Sequence, residues 1–177
     1  VIGGCPCQAL FKLGVPAADM RAADVSCLVL RNGGYSATEL KGAGYQLLEI
    51  EAAGYPLAEL KAAGFGVTEL KKLRKFTCAQ LASVKFEAGE MRSSGGFGLA
   101  EMLSAEYVLS ELRAAGYSVV ECKDAGVPAA DMRSAGFTAS EMKAASGYSV
   151  TRLKFTGYTV EELREGGYTG SDMSSLF

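Results

Sequence analysis

Apolar and polar residues follow a ten-residue period along this chain. In each repeat the first position is aromatic or otherwise apolar, the third is small or apolar, and the sixth is always apolar. One extra residue precedes Phe76, Phe97 and Tyr148, and the repeats otherwise run without a gap, about 17 in all. The first positions are Cys5, Val15, Val25, Tyr35, Tyr45, Tyr55, Phe65, Phe76, Phe86, Phe97, Tyr107, Tyr117, Val127, Phe137, Tyr148, Tyr158 and Tyr168. Such a period over a whole chain is typical of a repeat architecture.

The polar positions predict where each helix begins and ends. Position two is often Ser or Thr, and Glu or Gln three residues later completes a capping box, which satisfies free backbone N–H groups of the first turn. Such pairs occur at Ser36/Glu39, Thr77/Gln80, Ser118/Glu121, Thr138/Glu141 and Thr159/Glu162. Position ten is usually Gly, a natural residue after a helix end. Each repeat therefore predicts one helix of about seven residues.

A helix this short does not fold alone, because nucleation costs more than so few hydrogen bonds return. The apolar positions give each repeat one buried side, and stacking joins these sides into a continuous core. We therefore predict an all-α solenoid of about 17 short stacked helices, one single repeat array over residues 1–177. Its middle, residues 71–105, is predicted to be irregular, because Gly is missing before Phe76 and Phe86 and Ser93-Ser94-Gly95-Gly96 follows.

A division into fives gives an alternative fold. Pairs such as Ala58/Leu60 and Ala63/Phe65 resemble the pentapeptide-repeat family, and that resemblance implies a right-handed quadrilateral β-helix. However, Gly precedes only the aromatic residue and Lys follows only the Leu, so the two halves of each ten are not equivalent. A single-residue insertion would also reverse the direction of the following side chains along a strand, whereas a turn between helices can accommodate the insertion. The helical interpretation is therefore favoured.

The clearest repeats, such as Tyr35-Ser-Ala-Thr-Glu-Leu-Lys-Gly-Ala-Gly44, carry a second resemblance. They are similar to the decapeptide-repeat proteins of microbes and algae, whose unit reads Gly-Phe/Tyr-x3-Glu-Leu-Lys-Ala-Ala. The resemblance covers nearly the whole chain. Its motifs specify structure, so it implies no functional residues.

The five cysteines all fall at positions one, three or six, where small core residues are expected. The functional alternative is a disulfide of Cys27 with Cys5 or Cys7, which would stabilise the first repeats. The chain has no His, the commonest acid–base group and metal ligand. We therefore expect no enzyme, no metal and no cofactor.

Charge and hydropathy limit the partners. The formal net charge is −2 and the predicted pI is about 5.3, so a nucleic-acid interface is not expected. No apolar run is long enough to span a membrane, so membrane association is expected only through a complex. The first residue is Val1, which suggests a processed form or a fragment, with a lean towards a plastid or the secretory pathway after removal of a targeting peptide.

These features predict a structural, protein-binding scaffold. A stiff array would present positions four, seven and eight to other proteins. The candidate contacts are the cations Lys71, Lys72, Arg74 and Lys75 and the apolar Leu176 and Phe177. One hypothesis is a linker subunit of a large assembly, for example a photosynthetic membrane complex. The other is a secreted or cell-surface adhesion protein.

Overall fold

A computed structural model of the chain describes residues 6–145 and 147–174. This part contains seventeen short α-helices and no strand, so the all-α prediction is confirmed and the β-helix alternative is wrong. The helices are α1 Pro6–Lys12, α2 Ala17–Ala22, α3 Cys27–Gly33, α4 Ala37–Gly42, α5 Leu47–Ala52, α6 Leu57–Ala62, α7 Val67–Lys72, α8 Cys78–Ser83, α9 Ala88–Ser93, α10 Leu99–Ser104, α11 Leu109–Ala114, α12 Val119–Asp124, α13 Ala129–Ser134, α14 Ala139–Ala144, α15 Val150–Phe155, α16 Val160–Glu165 and α17 Gly170–Met173.

The helix starts follow the predicted capping chemistry. All five predicted capping boxes are formed, and a sixth joins Thr169 to Asp172. At Thr159, for example, the backbone N–H donates to Glu162 Oε2 at 2.6 Å, and the Glu162 N–H donates to the Thr159 hydroxyl at 3.1 Å. Two otherwise free N–H groups are satisfied at each such start, which stabilises helices too short to persist on side-chain packing alone.

Each helix end also positions the next helix. After α4, the Gly44 N–H donates to the Lys41 carbonyl at 2.9 Å, and the Tyr45 N–H donates to the Leu40 carbonyl at 3.0 Å. Gly44 has a φ of 87°, the left-handed conformation that this kind of helix stop requires. Tyr45 therefore closes one helix through its backbone N–H and is also the residue before the N-cap of the next helix. An ordinary turn thus needs no additional linker residue.

Four joins adopt the left-handed conformation without glycine. Asp24, Arg74, Lys85 and Glu106 have φ values of 56°, 49°, 66° and 66°. A side chain in this region costs about 1–2 kcal/mol relative to glycine. Two of these residues, Arg74 and Lys85, stand at the joins where the sequence predicted irregular geometry, and each still donates its N–H to the carbonyl three residues earlier, as Gly44 does.

The chain divides into two compact units, residues 1–86 and 87–177. In the first unit α1, α3 and α5 pack in one row and α2, α4 and α6 in a second. In the second unit the same alternation joins α9 to α11 and α13, α14 to α16, and α15 to α17. Within each unit a helix therefore stacks on its second neighbour along the chain. The division falls inside the predicted irregular stretch 71–105, and a single array over 1–177 stays a prediction.

The core is built from positions one, three and six. The largest fully buried side chains all stand at position six: Leu30, Leu40, Ile50, Leu60, Leu70, Leu81, Met91, Met102, Leu112, Met132, Met142 and Leu153. No polar or charged residue of the described chain is buried. Packing is closest where stacked backbones meet, since a Cβ added at Gly166 would lie 2.7 Å from the Ala139 Cβ and 2.9 Å from the Ser140 nitrogen.

Candidate interaction surface

A cation at position seven covers the aromatic ring that opens the third repeat after it. We call this contact a clasp. In eight clasps between described residues the cation lies 4.1 to 5.5 Å from the ring centroid. They are Arg21/Tyr45, Arg31/Tyr55, Lys41/Phe65, Lys61/Phe86, Arg92/Tyr117, Arg113/Phe137, Arg133/Tyr158 and Lys143/Tyr168. Each ring face attracts the cation through its quadrupole.

Several clasp cations also reach the end of the helix stacked above their own. Arg31 donates to the Ala53 carbonyl at 3.1 Å, and Lys41 donates to the Gly64 carbonyl at 2.7 Å. Lys61 donates to the Val84 carbonyl at 2.9 Å, and Lys143 donates to the carbonyl of Gly167. These carbonyls lie at helix C-termini, where a positive charge is favourable.

Four arginine clasps end on a capping carboxylate. Arg92 contacts both oxygens of Glu121, at 3.0 and 3.4 Å. Equivalent ion pairs join Arg113 to Glu141 at 3.3 Å, Arg133 to Glu162 at 3.4 Å and Arg21 to Glu49 at 3.8 Å. One cation therefore connects its own helix, an aromatic ring and the N-terminus of a helix three repeats later.

Hydrogen bonds and neighbouring cations lower the pKa values of the capping carboxylates Glu121 and Glu162. The Thr159 N–H bonded to Glu162 lowers the pKa of that carboxyl, with further lowering from Arg133. Burial raises the pKa of Glu121, but hydrogen bonds from Ser118 and the charge of Arg92 outweigh it, and the net shift is downward. The charged form of these side chains is therefore the one that the fold stabilises.

Where position seven is not a cation, the contact changes with it. Phe11 replaces the cation opposite Tyr35, and the two rings meet edge to face with centroids 5.0 Å apart. Glu51 occupies position seven of its repeat, and the extra residue Lys75, inserted directly before Phe76, forms an ion pair with Glu51. The insertion thus supplies the charge that position seven lacks.

Six tyrosine hydroxyls form a second kind of contact between stacked repeats, a hydrogen bond to the backbone. The hydroxyls of Tyr35, Tyr45, Tyr55, Tyr117, Tyr158 and Tyr168 donate to the carbonyl of a first-position residue 20 or 21 residues earlier, at 2.5 to 2.9 Å. Burial raises the pKa of Tyr55 and of Tyr158 to about 12. These rings belong to the packing of the solenoid, as their positions in the repeat predict.

The predicted contact cations do not form one free cluster. Lys71 is half-buried at the end of α7, and Lys75 pairs with Glu51. Lys72 and Arg74 are exposed, Lys72 in the last turn of α7 and Arg74 in the following turn. Leu176 and Phe177 lie outside the described residues.

The predicted disulfide of Cys27 with Cys5 or Cys7 stays a prediction. Cys7 in α1 and Cys27 in α3 are both buried, on two helices that pack against each other. The alternative partner, Cys5, lies outside the described residues. Burial raises the pKa of Cys27, which keeps its thiol protonated and unreactive.

Positions four and eight form the outer faces of the helix rows. Every described residue at these positions is exposed except Thr151, which is half-buried. Position seven, which is predicted to share this surface, differs from positions four and eight in eight repeats, because the clasp draws its side chain against a ring. Sequence reasoning missed the clasp, whose partners stand 24 or 25 residues apart.

Shallow grooves lie beside three of the ring contacts. Grooves of about 570 Å³ and 390 Å³ border Arg133/Tyr158 and Arg92/Tyr117, and one of about 440 Å³ borders Phe11. In residues 6–145 and 147–174 no group of three or more Cys, Asp or Glu side chains is arranged to hold a metal ion. None of the helices described is long and apolar enough to cross a bilayer.

Comparison with known sequences returns the same repeat. A family model described as "Decapeptide repeat region" matches residues 2–67, 34–102 and 75–146. Together the three matches extend over residues 2–146, more than half of the chain. Searches of curated proteins and of solved structures find no match.

Proposed function

The chain belongs to the decapeptide repeat family, and we propose that it is a non-enzymatic scaffold that binds other proteins along its helical array. More specifically, we propose a linker subunit that joins components of a larger assembly, such as a photosynthetic membrane complex. Membrane association would then come through the complex.

The observation that carries the proposal is the clasp. A solenoid in which each repeat contacts only its neighbours is soft unless those contacts are specific. The clasp extends the contact to the third repeat and ties together a helix end, a ring and a helix start, as at Arg133, Tyr158 and Glu162. Rigidity of this kind holds exposed residues at fixed spacing, which lowers the ordering cost of binding an extended partner.

The partner-facing surface in this proposal is formed by positions four and eight. Most of these residues are small and uncharged, so a few larger or charged side chains would decide specificity. Lys72 and Arg74 are exposed members of the basic cluster near the centre of the chain, and the third exposed member, Lys75, already pairs with Glu51. An acidic partner would gain from both cations.

Size-exclusion chromatography of native extract tests the proposal. A linker elutes with its complex, at a mass well above the 18.5 kDa of the chain. Lys72→Glu should weaken co-elution, whereas Lys12→Glu, the same change at the same exposed repeat position in α1, should not. Elution of the wild-type chain alone would contradict a linker role.

The secreted or cell-surface alternative depends on the cysteines. An oxidising compartment would favour a disulfide of Cys27 with Cys5 or Cys7. We place the linker first, because a stiff array held by clasps suits a linker. Monomeric elution together with a Cys5–Cys27 disulfide, detected by mass spectrometry of unreduced peptides, would reverse that order.

A further inference from the structure

The repeat over residues 148–157 departs from the others at two positions. Position five is acidic or uncharged in every other repeat, and here it is Arg152. Position eight is Lys, Ala, Asn, Gly, Ser, Asp or Glu in every other repeat, and here it is Phe155. Both residues lie on α15, which contains no acidic residue.

Arg152 removes contacts that an acidic residue makes elsewhere. The Arg152 N–H still donates to the Ser149 hydroxyl at 3.3 Å, but the side chain does not return to the N-cap. Its guanidinium instead lies 5.3 Å from the centroid of the Tyr148 ring. The repeat therefore loses both the capping box and the carboxylate on which an arginine clasp ends.

The same departure produces an exposed patch, which we call the α15 patch: Arg152, Lys154 and Phe155. Phe155 is 87% exposed, and both cations are exposed as well. Arg152 and Phe155 stand three residues apart and so share one face of the helix. Arg152 breaks the capping rule at a cost to stability, and Phe155 gains no compensating contact. Such a local violation is expected at a functional site.

We propose that the α15 patch docks an acidic protein segment that carries an apolar side chain. An aromatic ring beside cations is the composition that protein interfaces favour. Anionic membranes are recognised by clusters of about 4–8 cations, more than this patch contains. The overall charge of −2 also disfavours a phosphate backbone. The inference rests on the proposed scaffold function and adds a second contact point to it.

Site-specific photocrosslinking in native extract tests the patch. The full-length chain carries a benzophenone amino acid at position 155, where it replaces one aromatic residue with another. The matched control carries it at Ala114, an exposed position-eight residue of α11. Mass spectrometry then identifies the crosslinked segment, and thermal melting of each variant verifies that it folds.

The expected result is a crosslink at position 155, absent at 114, to a protein segment with an excess of Asp and Glu. Lys154→Glu should reduce its yield at least about tenfold, the loss expected for reversing one charge at an interface hot spot. Equal crosslinking at both positions, a neutral or basic segment, or a lipid adduct overturns the proposal. Co-elution with a complex in the absence of any crosslink at 155 rejects the patch alone and leaves the scaffold function standing.

Discussion

Removal of one clasp cation should destabilise the second compact unit measurably. Arg92 has the best geometry, since its guanidinium carbon lies 4.1 Å from the Tyr117 ring centroid and its nitrogens contact both Glu121 oxygens. A partly desolvated cation–ring contact contributes about 0.5–2 kcal/mol, and a half-exposed ion pair about 0.2–1 kcal/mol. We therefore expect Arg92→Ala to lower the free energy of unfolding by about 1–2 kcal/mol.

The assay is urea unfolding followed by circular dichroism. With a slope of about 1–3 kcal/mol per molar urea, a loss of this size lowers the midpoint by roughly 0.3–2 M. The matched control is Lys154→Ala, also at position seven but with an exposed side chain, and its midpoint should stay within about 0.3 M of the wild type. Arg92→Lys should fall between the two, because it keeps the charge and loses the two-point contact with Glu121.

A double-mutant cycle isolates the contact. Arg92→Ala and Tyr117→Leu, combined, should destabilise by about 0.5–1 kcal/mol less than the sum of the single changes. Raising the salt concentration from 0.05 to 1 M should reduce the difference in urea midpoint between wild type and Arg92→Ala, because screening weakens the ion pair. Equal midpoints for Arg92→Ala and Lys154→Ala would refute the view that clasps stabilise the fold.

Four further predictions concern backbone and pH. Gly166→Ala should cost about 1–3 kcal/mol because the stacked backbone leaves no room, whereas Gly89→Ala, in open space, should be neutral or stabilising by up to about 1 kcal/mol; thermal melting compares them. Glu106→Gly should raise stability by about 0.5–1 kcal/mol in urea titrations by relieving the left-handed backbone, and an unchanged or lower midpoint would contradict this. Because the folded pKa of Glu162 is lowered, its stabilisation is present above the unfolded pKa of about 4.3 and is lost as the pH falls through the lower folded pKa. Because the folded pKa of Tyr158 is raised to about 12, stability should fall as the pH rises from about 10 towards 12, and a Tyr158→Phe chain should lose less, as followed by circular dichroism.

The helices and their caps could be predicted because the signals are local. Thr159 and Glu162 are three residues apart, and their hydrogen bonds need no knowledge of the fold. The two rows of helices could not be derived in the same way, since one helix of six residues is compatible with several stacking patterns. The clasp could not be predicted from local signals either, because its partners meet only after two further helices have been placed.

A signal for the clasp is nevertheless present in the sequence. Position seven is matched to position one of the third repeat following: Leu103 there corresponds to Val127, where cations elsewhere correspond to aromatic rings. The insertion of Lys75 corresponds to the acidic Glu51 in the same way. The members of the basic run around Lys72 are adjacent in sequence but differ in the fold, where Lys75 pairs with Glu51 while Lys72 and Arg74 are exposed.

The sharing of one residue by two consecutive helices has an evolutionary consequence. Because Tyr45 ends one helix and precedes the next, the turns have little room for length changes, and the departures from the period are the single residues inserted before Phe76, Phe97 and Tyr148. Duplication of ten residues within a compact unit would move each later helix to the opposite row and exchange the outward faces. Duplication of twenty would leave both faces as they were. The heritable building block of such a protein is therefore the pair of repeats, and lineages that conserve a binding face should gain or lose sequence in twenties.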